Sequence, residues 1–375
     1  MIKTNTDFLS ERLEERRETG LIRSLVDKAH LVDFCSNDYL GLAQSDEFKQ
    51  LIDQKLKQYQ QERVGATGSR LISGNFTYTE QLEQKIADFH QAETGLIFNS
   101  GYDANLGVFA SLARRGDTII TDELIHASII DGVRLTHAKR LRFRHNNLVD
   151  LEKKLRLAEG HVFVGVESVY SMDGDVAPLG EIAALCEKYQ AHLIVDEAHA
   201  TGVFGHQGEG VVQRDHLQDK VLARVHTFGK AMGTHGAIVL GSNNLRSYLV
   251  NFARSFIYTT ALPMHALAAI EAAYELIPTW HQAREHLDRL IDLFQDTLGK
   301  ATRYEILPSA SPIQGVIVAG NHQAKHLAEQ IEAAGFYVKA ILSPTVPAGQ
   351  ERLRICLHAF NTKAQLDQLM NMISS

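Results

Sequence analysis

The stretch LIVDEAHATG, residues 193–202, decides how the rest of the chain is read. A run rich in β-branched and other apolar residues, His192–Val195, predicts a buried strand that hands Asp196 and then His199 to the following loop. Ligands of open α/β sheets sit beyond the carboxyl ends of the strands, so polar residues delivered there are candidates for chemistry. Working outward, similar apolar runs occur at residues 94–98, 117–121, 140–143, 162–167, 224–227 and 236–241, separated by helix-length amphipathic stretches. That alternation predicts an α/β fold, with a large domain built on a mainly parallel seven-stranded sheet.

Downstream the pattern changes. Residues 264–297 carry helical periodicity interrupted near Pro278, and 315–319, 337–342 and 352–357 read as strands with helices near 323–334 and 362–373. These form a smaller α+β domain. The expected division is an N-terminal helix and arm over residues 1–45, a large domain over 46–265 and a small domain over 266–375. The helix near 10–19 is expected to pack on the small domain.

HTFGKAMGTHG, residues 226–236, places Lys230 in a turn flanked by Gly229, Gly233 and Gly236. Glycines allow the backbone to approach a bulky group, and a lysine lodged there sheds water and becomes a nucleophilic amine. Thr227, at the strand end, is suited to a phosphate oxygen. Taken alone, Asp196 also reads as a cap and His199 as a loop histidine. Together with Lys230 they fit pyridoxal 5′-phosphate (PLP), whose pyridine nitrogen stays protonated beside a carboxylate and whose aldehyde condenses with an amine as a Schiff base.

Three further segments end strands. IFNSGYDANLG puts Ser100, Gly101 and Tyr102 at a helix start, where free backbone N–H groups cradle an anion, although plain capping reads the same way. ITDELIHASIIDG offers His126, either a stacking partner for an aromatic cofactor or an ordinary core or surface histidine. VESVYSMDGD presents Glu167, Ser171 and Asp173, the last in a turn with Gly174.

Composition narrows the classes. With 38 basic and 45 acidic side chains the net charge is −7, and no basic run marks a nucleic-acid surface. Cys35, Cys186 and Cys356 are odd in number and lack CxxC spacing, which argues against a disulfide framework or a structural metal. The charged stretch MIKTNTDFLSERLEERRETG has no apolar core of a signal peptide, and no long apolar run suggests a membrane span. The expectation is a soluble cytoplasmic protein.

With these residues assembled, the chain resembles the α-oxoamine synthases, PLP enzymes of fold type I that condense an amino acid with an acyl-CoA and release carbon dioxide. The resemblance runs nearly end to end through FCSNDYLGL (34–42), GATGSRLISG (65–74), NSGYDAN (99–105), HAS (126–128), YSMDGD, VDEAHATG, TFGKAMG, FIYTTALP (256–263) and PTVPAGQERLR (344–354). It implies that Lys230 binds the cofactor covalently, Asp196 pairs with the pyridine nitrogen, His199 and Ser171 approach the phenolic oxygen and His126 stacks on the ring. It also implies the Gly101 and Tyr102 backbone groups and Thr227 at the phosphate, with Thr260 reaching across from the second subunit of a homodimer. Asn37 and Arg354 match positions holding the amino-acid carboxylate, and Arg23 and Thr345 match positions near the acyl substrate.

The reactants implied are L-alanine and pimeloyl-CoA, or a pimeloyl group on an acyl carrier protein, in biotin biosynthesis. Glycine with acetyl-CoA and serine with palmitoyl-CoA are the alternatives, and a non-catalytic PLP-binding scaffold is a third. Two departures from the family pattern stand out. Thr79 occupies a position where bacterial members carry histidine, and Leu342 in ILSPTVP stands where many relatives carry arginine.

Overall fold

Strand burial explains the layering. The computed structural model describes residues 7–59 and 64–374. The strands are β1 (Val32–Asp33), β2 (Thr94–Phe98), β3 (Thr118–Asp122), β4 (Lys139–Phe143), β5 (Val162–Glu167), β6 (His192–Asp196), β7 (Ala223–Thr227), β8 (Ala237–Gly241), β9 (Glu305–Ile306), β10 (Ile313–Ile317), β11 (Phe336–Tyr337), β12 (Lys339–Ile341) and β13 (Arg352–Cys356). In β2, β3, β5 and β7 every residue is buried, as a sheet covered on both faces requires. By contrast β4, KRLRF, exposes its basic side chains and forms a sheet edge.

The large sheet has the order β2-β8-β7-β6-β5-β3-β4, seven strands as expected. The strands from β7 across to β4 run parallel, while β8 lies antiparallel to both β7 and β2. One face packs Ala104, Val108, Ile129 and Leu249 from helices Gly101–Leu112, Ala127–Arg134 and Asn243–Phe252. The other packs Leu151, Leu155, Ile182 and Ala183 from helices Leu148–Arg156 and Leu179–Lys188. All the parallel strands therefore aim their carboxyl ends at one rim.

The C-terminal unit is an antiparallel sheet of order β12-β13-β10-β9 with helices Asn321–Ala333 and Lys363–Ser374. Helix Met264–Leu276 leads to it through a 3-10 turn at Ile277–Thr279 and then helix His281–Ala301, so the interruption at Pro278 falls where the sequence places it. The predicted strand over 337–342 is instead divided between β11 and β12. Helices Asp46–Gln58 and Thr77–Phe89 complete the packing beside Met264–Leu276.

One expectation is corrected. Helix Asp7–Glu18 buries none of its residues, on the small unit or elsewhere, because DFLSERLEERRE carries charge all round and has no apolar stripe. The arm that follows it does dock. Its strand β1 pairs in parallel with β11, Val32 beside Phe336 and Asp33 beside Tyr337. Cys356 N–H then donates to the Phe34 carbonyl at 2.9 Å, and Ala359 N–H to the Tyr39 carbonyl at 2.8 Å. Asn37 and Tyr39 are thereby brought to the rim of the large sheet.

Candidate active site

Lys230 follows β7, whose last residue Thr227 is buried, and the turn is closed by Gly233 N–H donating to the Lys230 carbonyl at 2.8 Å. Gly233 adopts φ +63° so close to Leu42 and Ala43 that a Cβ would lie 2.6 Å from the Ala43 nitrogen, so glycine is required there. The turn delivers the amine inward. Lys230 Nζ lies 2.8 Å from His199 Nε2, and burial lowers its pKa to about 8 against the opposing pull of Asp196 and Glu167.

From His199 a chain of polar contacts crosses to the small unit. His199 Nδ1 is 2.7 Å from the Tyr39 hydroxyl, which donates to Asn37 Oδ1 at 3.1 Å. Asn37 Oδ1 also accepts from Arg354 Nη2 at 3.0 Å. Arg354 Nε donates to the Ser171 carbonyl at 2.7 Å, and Nη1 to Cys356 Sγ at 2.9 Å. With the Tyr39 proton directed at Asn37, His199 must donate from Nδ1, leaving Nε2 to accept from Lys230. Burial, together with the charges of Lys230 and Arg354, holds His199 well below the ordinary histidine pKa, so the neutral ring this assignment demands is the stable one.

Asp196 closes β6 and is buried. Its Oδ2 accepts from Asn105 Nδ2 at 2.6 Å and its Oδ1 from Ala198 N–H at 2.8 Å. The same Asn105 amide donates to Ser128 Oγ at 3.0 Å, and Ser128 Oγ lies 2.8 Å from His126 Nδ1. His126 also caps helix Ala127–Arg134, accepting from Ser128 N–H at 3.2 Å, while its ring is left exposed. One carboxylate and one open imidazole face are thus oriented by a single buried amide.

The expected anion cradle falls at the start of helix Gly101–Leu112. Ser100 caps it, accepting from Asp103 N–H at 3.1 Å and donating to Asp103 Oδ2 at 2.9 Å. Gly101 faces Thr227: a Cβ there would stand 3.2 Å from Thr227 Oγ1 and crowd the hydroxyl. Tyr102 is partly exposed, with its hydroxyl directed to Asp131. Thr260 is exposed, with its carbonyl held by Asn99 Nδ2 at 2.8 Å. Arg23 and Thr345 are exposed as well and make no part of the chain of contacts described above.

These residues fit PLP. A buried amine of lowered pKa, a buried carboxylate, an open imidazole face, and a hydroxyl beside a glycine at a helix start supply the donors and charges that the aldehyde, pyridine nitrogen, ring and phosphate need. Arg352 pairs with Asp173, so Asp173 does more than form a turn. Residues without an assigned role in the sequence also enter the site. Tyr39 links His199 on the lysine side to Asn37 beside Arg354, and Asn105 orients Asp196. Glu167, the last residue of β5, lies in register with Asp196. The signal for Asn105 is an amide one helical turn inside NSGYDAN, on the side of the helix that meets the sheet.

The two departures have structural surroundings. Thr79 is buried with an unpartnered hydroxyl at a small cavity shared with Arg70, Asn99 and Thr259. Leu342 packs against the apolar core of the C-terminal unit.

Comparison with known proteins places the chain. The model for aminotransferase class I and II matches residues 29–373. An 8-amino-7-oxononanoate synthase from Emericella nidulans is 44% identical, the match covering 98% of this chain and 95% of that one. The solved 8-amino-7-oxononanoate synthase of Francisella tularensis aligns with TM-score 0.80 at 32% identity over 92% of this chain and 97% of that one. A serine palmitoyltransferase from S. paucimobilis, solved with bound PLP and myriocin, aligns with TM-score 0.86 at 28% identity over 100% and 98%. The chain belongs to the aminotransferase class I and II family, in its α-oxoamine synthase branch.

Proposed function

We propose that the protein is a PLP-dependent acyltransferase that condenses L-alanine with pimeloyl-CoA, or with a pimeloyl group on a carrier protein, to give 8-amino-7-oxononanoate, CoA and carbon dioxide for biotin biosynthesis. The carrying observation is the continuous polar path from Lys230 through His199, Tyr39 and Asn37 to Arg354, which sets an amine and a carboxylate receptor at opposite ends of one site. PLP, when bound, supplies the electron sink that proton removal and decarboxylation at one carbon require. Lys230 holds the cofactor and, once free, takes the Cα proton of the amino acid, for which an amine titrating near 8 is well matched.

Asp196 would keep the pyridine nitrogen of the bound cofactor protonated and His126 would cover a ring face. Gly101, Tyr102 and Thr227 would hold the phosphate, with Ser100 fixing the helix start. His199 and Ser171 would serve the phenolic oxygen. Arg354 and Asn37 grip the substrate carboxylate, which orients the bond to be broken. Arg23 and Thr345 serve the acyl partner. A cavity of about 510 Å³ that begins one residue from Asn37, lined by Val26, Leu31, Cys35, Ser36, Tyr337 and Phe360, supports a place for a methylene chain.

The active form is a cytoplasmic homodimer in which Thr260 serves the partner's site. Exposed Ile22, Leu25, Val26, Leu71, Ile72 and Tyr258 support an apolar contact surface. The working division of the chain is residues 1–45, 46–265 and 266–375. Among the described residues no helix is long and apolar enough to cross a membrane.

The test is a matrix of alanine, glycine and serine against acetyl-, pimeloyl- and palmitoyl-CoA, read as CoA release and product mass. Highest kcat/KM for alanine with pimeloyl-CoA is expected. Preference for glycine with acetyl-CoA, or for serine with palmitoyl-CoA, overturns the assignment, and cofactor binding without CoA release makes the protein a scaffold.

A further inference from the structure

Asn99 is the residue between β2 and the cap Ser100, so its backbone opens the anion cradle of its own chain. Its side chain points elsewhere. Asn99 Nδ2 donates to Thr259 Oγ1 at 2.9 Å and to the Thr260 carbonyl at 2.8 Å. Both acceptors belong to the corner FIYTTALP, in which Tyr258 is 72% exposed while Phe256, Ala261 and Leu262 are buried. A second restraint follows the corner, where Ala261 N–H donates to the Gly68 carbonyl at 2.9 Å.

Beneath the corner the packing is incomplete. A cavity of about 10 Å³, room for a single water, is lined by Arg70, Thr79, Asn99, Ser255 and Thr259, and the buried Thr79 hydroxyl at its wall has no partner. Thr259 borders this void, and the side chain of Asn99 bonds both Thr259 and Thr260.

We propose that Asn99 is a positioning residue that acts in trans, holding the Thr259–Thr260 corner so that Thr260 is presented to the phosphate site of the second copy of the chain. This rests on the reading that Thr260 serves the partner's site. One residue then belongs to both phosphate sites of the dimer, to its own through the backbone and to the partner's through the side chain.

The substitution Asn99→Leu removes both donors, keeps the side-chain size and adds no charge near a phosphate. Loss of two ordinary hydrogen bonds predicts about tenfold faster PLP release from the holoenzyme. The deciding measurement uses hybrid dimers that carry one Lys230→Ala chain, with release of lysine-bound PLP followed by absorbance after dilution. When Asn99→Leu is on the Lys230→Ala chain, the working site receives its Thr260 from the altered corner, and release is expected to accelerate about tenfold. When Asn99→Leu is on the lysine-bearing chain, release is expected to match wild type.

Acceleration in the second arrangement but not the first shows Asn99 acting on its own cradle and overturns the proposal, as does no acceleration in either. The same pair of hybrids with Thr260→Ala separates the two readings: absence of a trans effect there removes the premise about Thr260 itself. Should Asn99→Leu dimers assemble poorly, Asn99→Ser, too short to reach both oxygens, is placed in the same two arrangements and judged by the same outcomes.

Discussion

Glu167 and Asp196 end adjacent parallel strands in register, two buried carboxyl groups side by side at the rim of the sheet. Asp196 is satisfied by Asn105 and Ala198, whereas Glu167 Oε1 is buried with no hydrogen-bond partner. Burial, and then the Asp196 charge, push the Glu167 carboxyl well above its ordinary range despite the nearby Lys230. Its protonated form is therefore the favoured one.

Glu167→Gln, a neutral isostere, is accordingly expected to keep kcat within about threefold, an effect of ~0.5 kcal/mol. The linked stability has a definite sign. A raised folded pKa means that the unfolded chain ionises first as pH rises above 4.5, so the native state loses stability from there upward. Urea unfolding should show Glu167→Gln gaining on wild type as pH rises above 4.5; a loss over that rise counts against a raised Glu167 pKa.

Lys230 titrates near 8 because it is buried. The uncharged amine is the nucleophile, so PLP recombination with cofactor-free protein should quicken about tenfold per pH unit up to about 8 and then level off. Stopped-flow absorbance measures it. Since the folded pKa is lowered, cofactor-free protein should lose stability as pH falls from 10.5 to about 8 and no further below. Lys230→Ala should lose both the absorbance of the bound cofactor and turnover.

Arg354 is held through Nε, Nη1 and Nη2 by Ser171, Cys356 and Asn37. A lysine reproduces the charge but not the planar fork. Arg354→Lys should raise KM for the amino acid roughly 10- to 100-fold, the worth of a charged hydrogen bond, and leave the cofactor spectrum unchanged. Steady-state kinetics at saturating acyl-CoA decide it.

His145 lies 3.0 Å from Asp122 Oδ1 through Nδ1 and 2.8 Å from Asp175 Oδ2 through Nε2. Burial opposes its charge, but the bonds to the two carboxylates outweigh that and raise its pKa to about 10. The stability it contributes is complete below 6.5 and is lost as pH rises through about 10. His145→Gln should destabilise by about 3 kcal/mol at neutral pH, with the gap to wild type closing toward pH 10 in denaturant titrations.

Much of the site was legible because its residues stand at strand ends. The run before Asp196 and the turn at Lys230 declare themselves by apolar alternation and glycine spacing, and their strands were placed to within a residue. Tyr39 was not legible in this way. Its position depends on β1 meeting β11, a two-residue pairing across some three hundred positions that no local pattern announces. The helices Asp46–Gln58 and Thr77–Phe89 went unassigned although Phe48, Leu82 and Ile86 mark their buried stripes. The N-terminal helix was found, but its packing was not, since charge on every side leaves it nothing to bury.

That short pairing of β1 with β11 has a mechanical corollary. It fastens the arm to the C-terminal unit, so Asn37 and Tyr39 travel with Arg354 as one jaw, while Lys230, His199 and Asp196 stay on the sheet as the other. The Tyr39–His199, Arg354–Ser171 and Arg352–Asp173 contacts are where the jaws meet. Separating them parts Arg354 and Asn37 from Lys230 and takes the Ser171 carbonyl away from the Arg354 guanidinium.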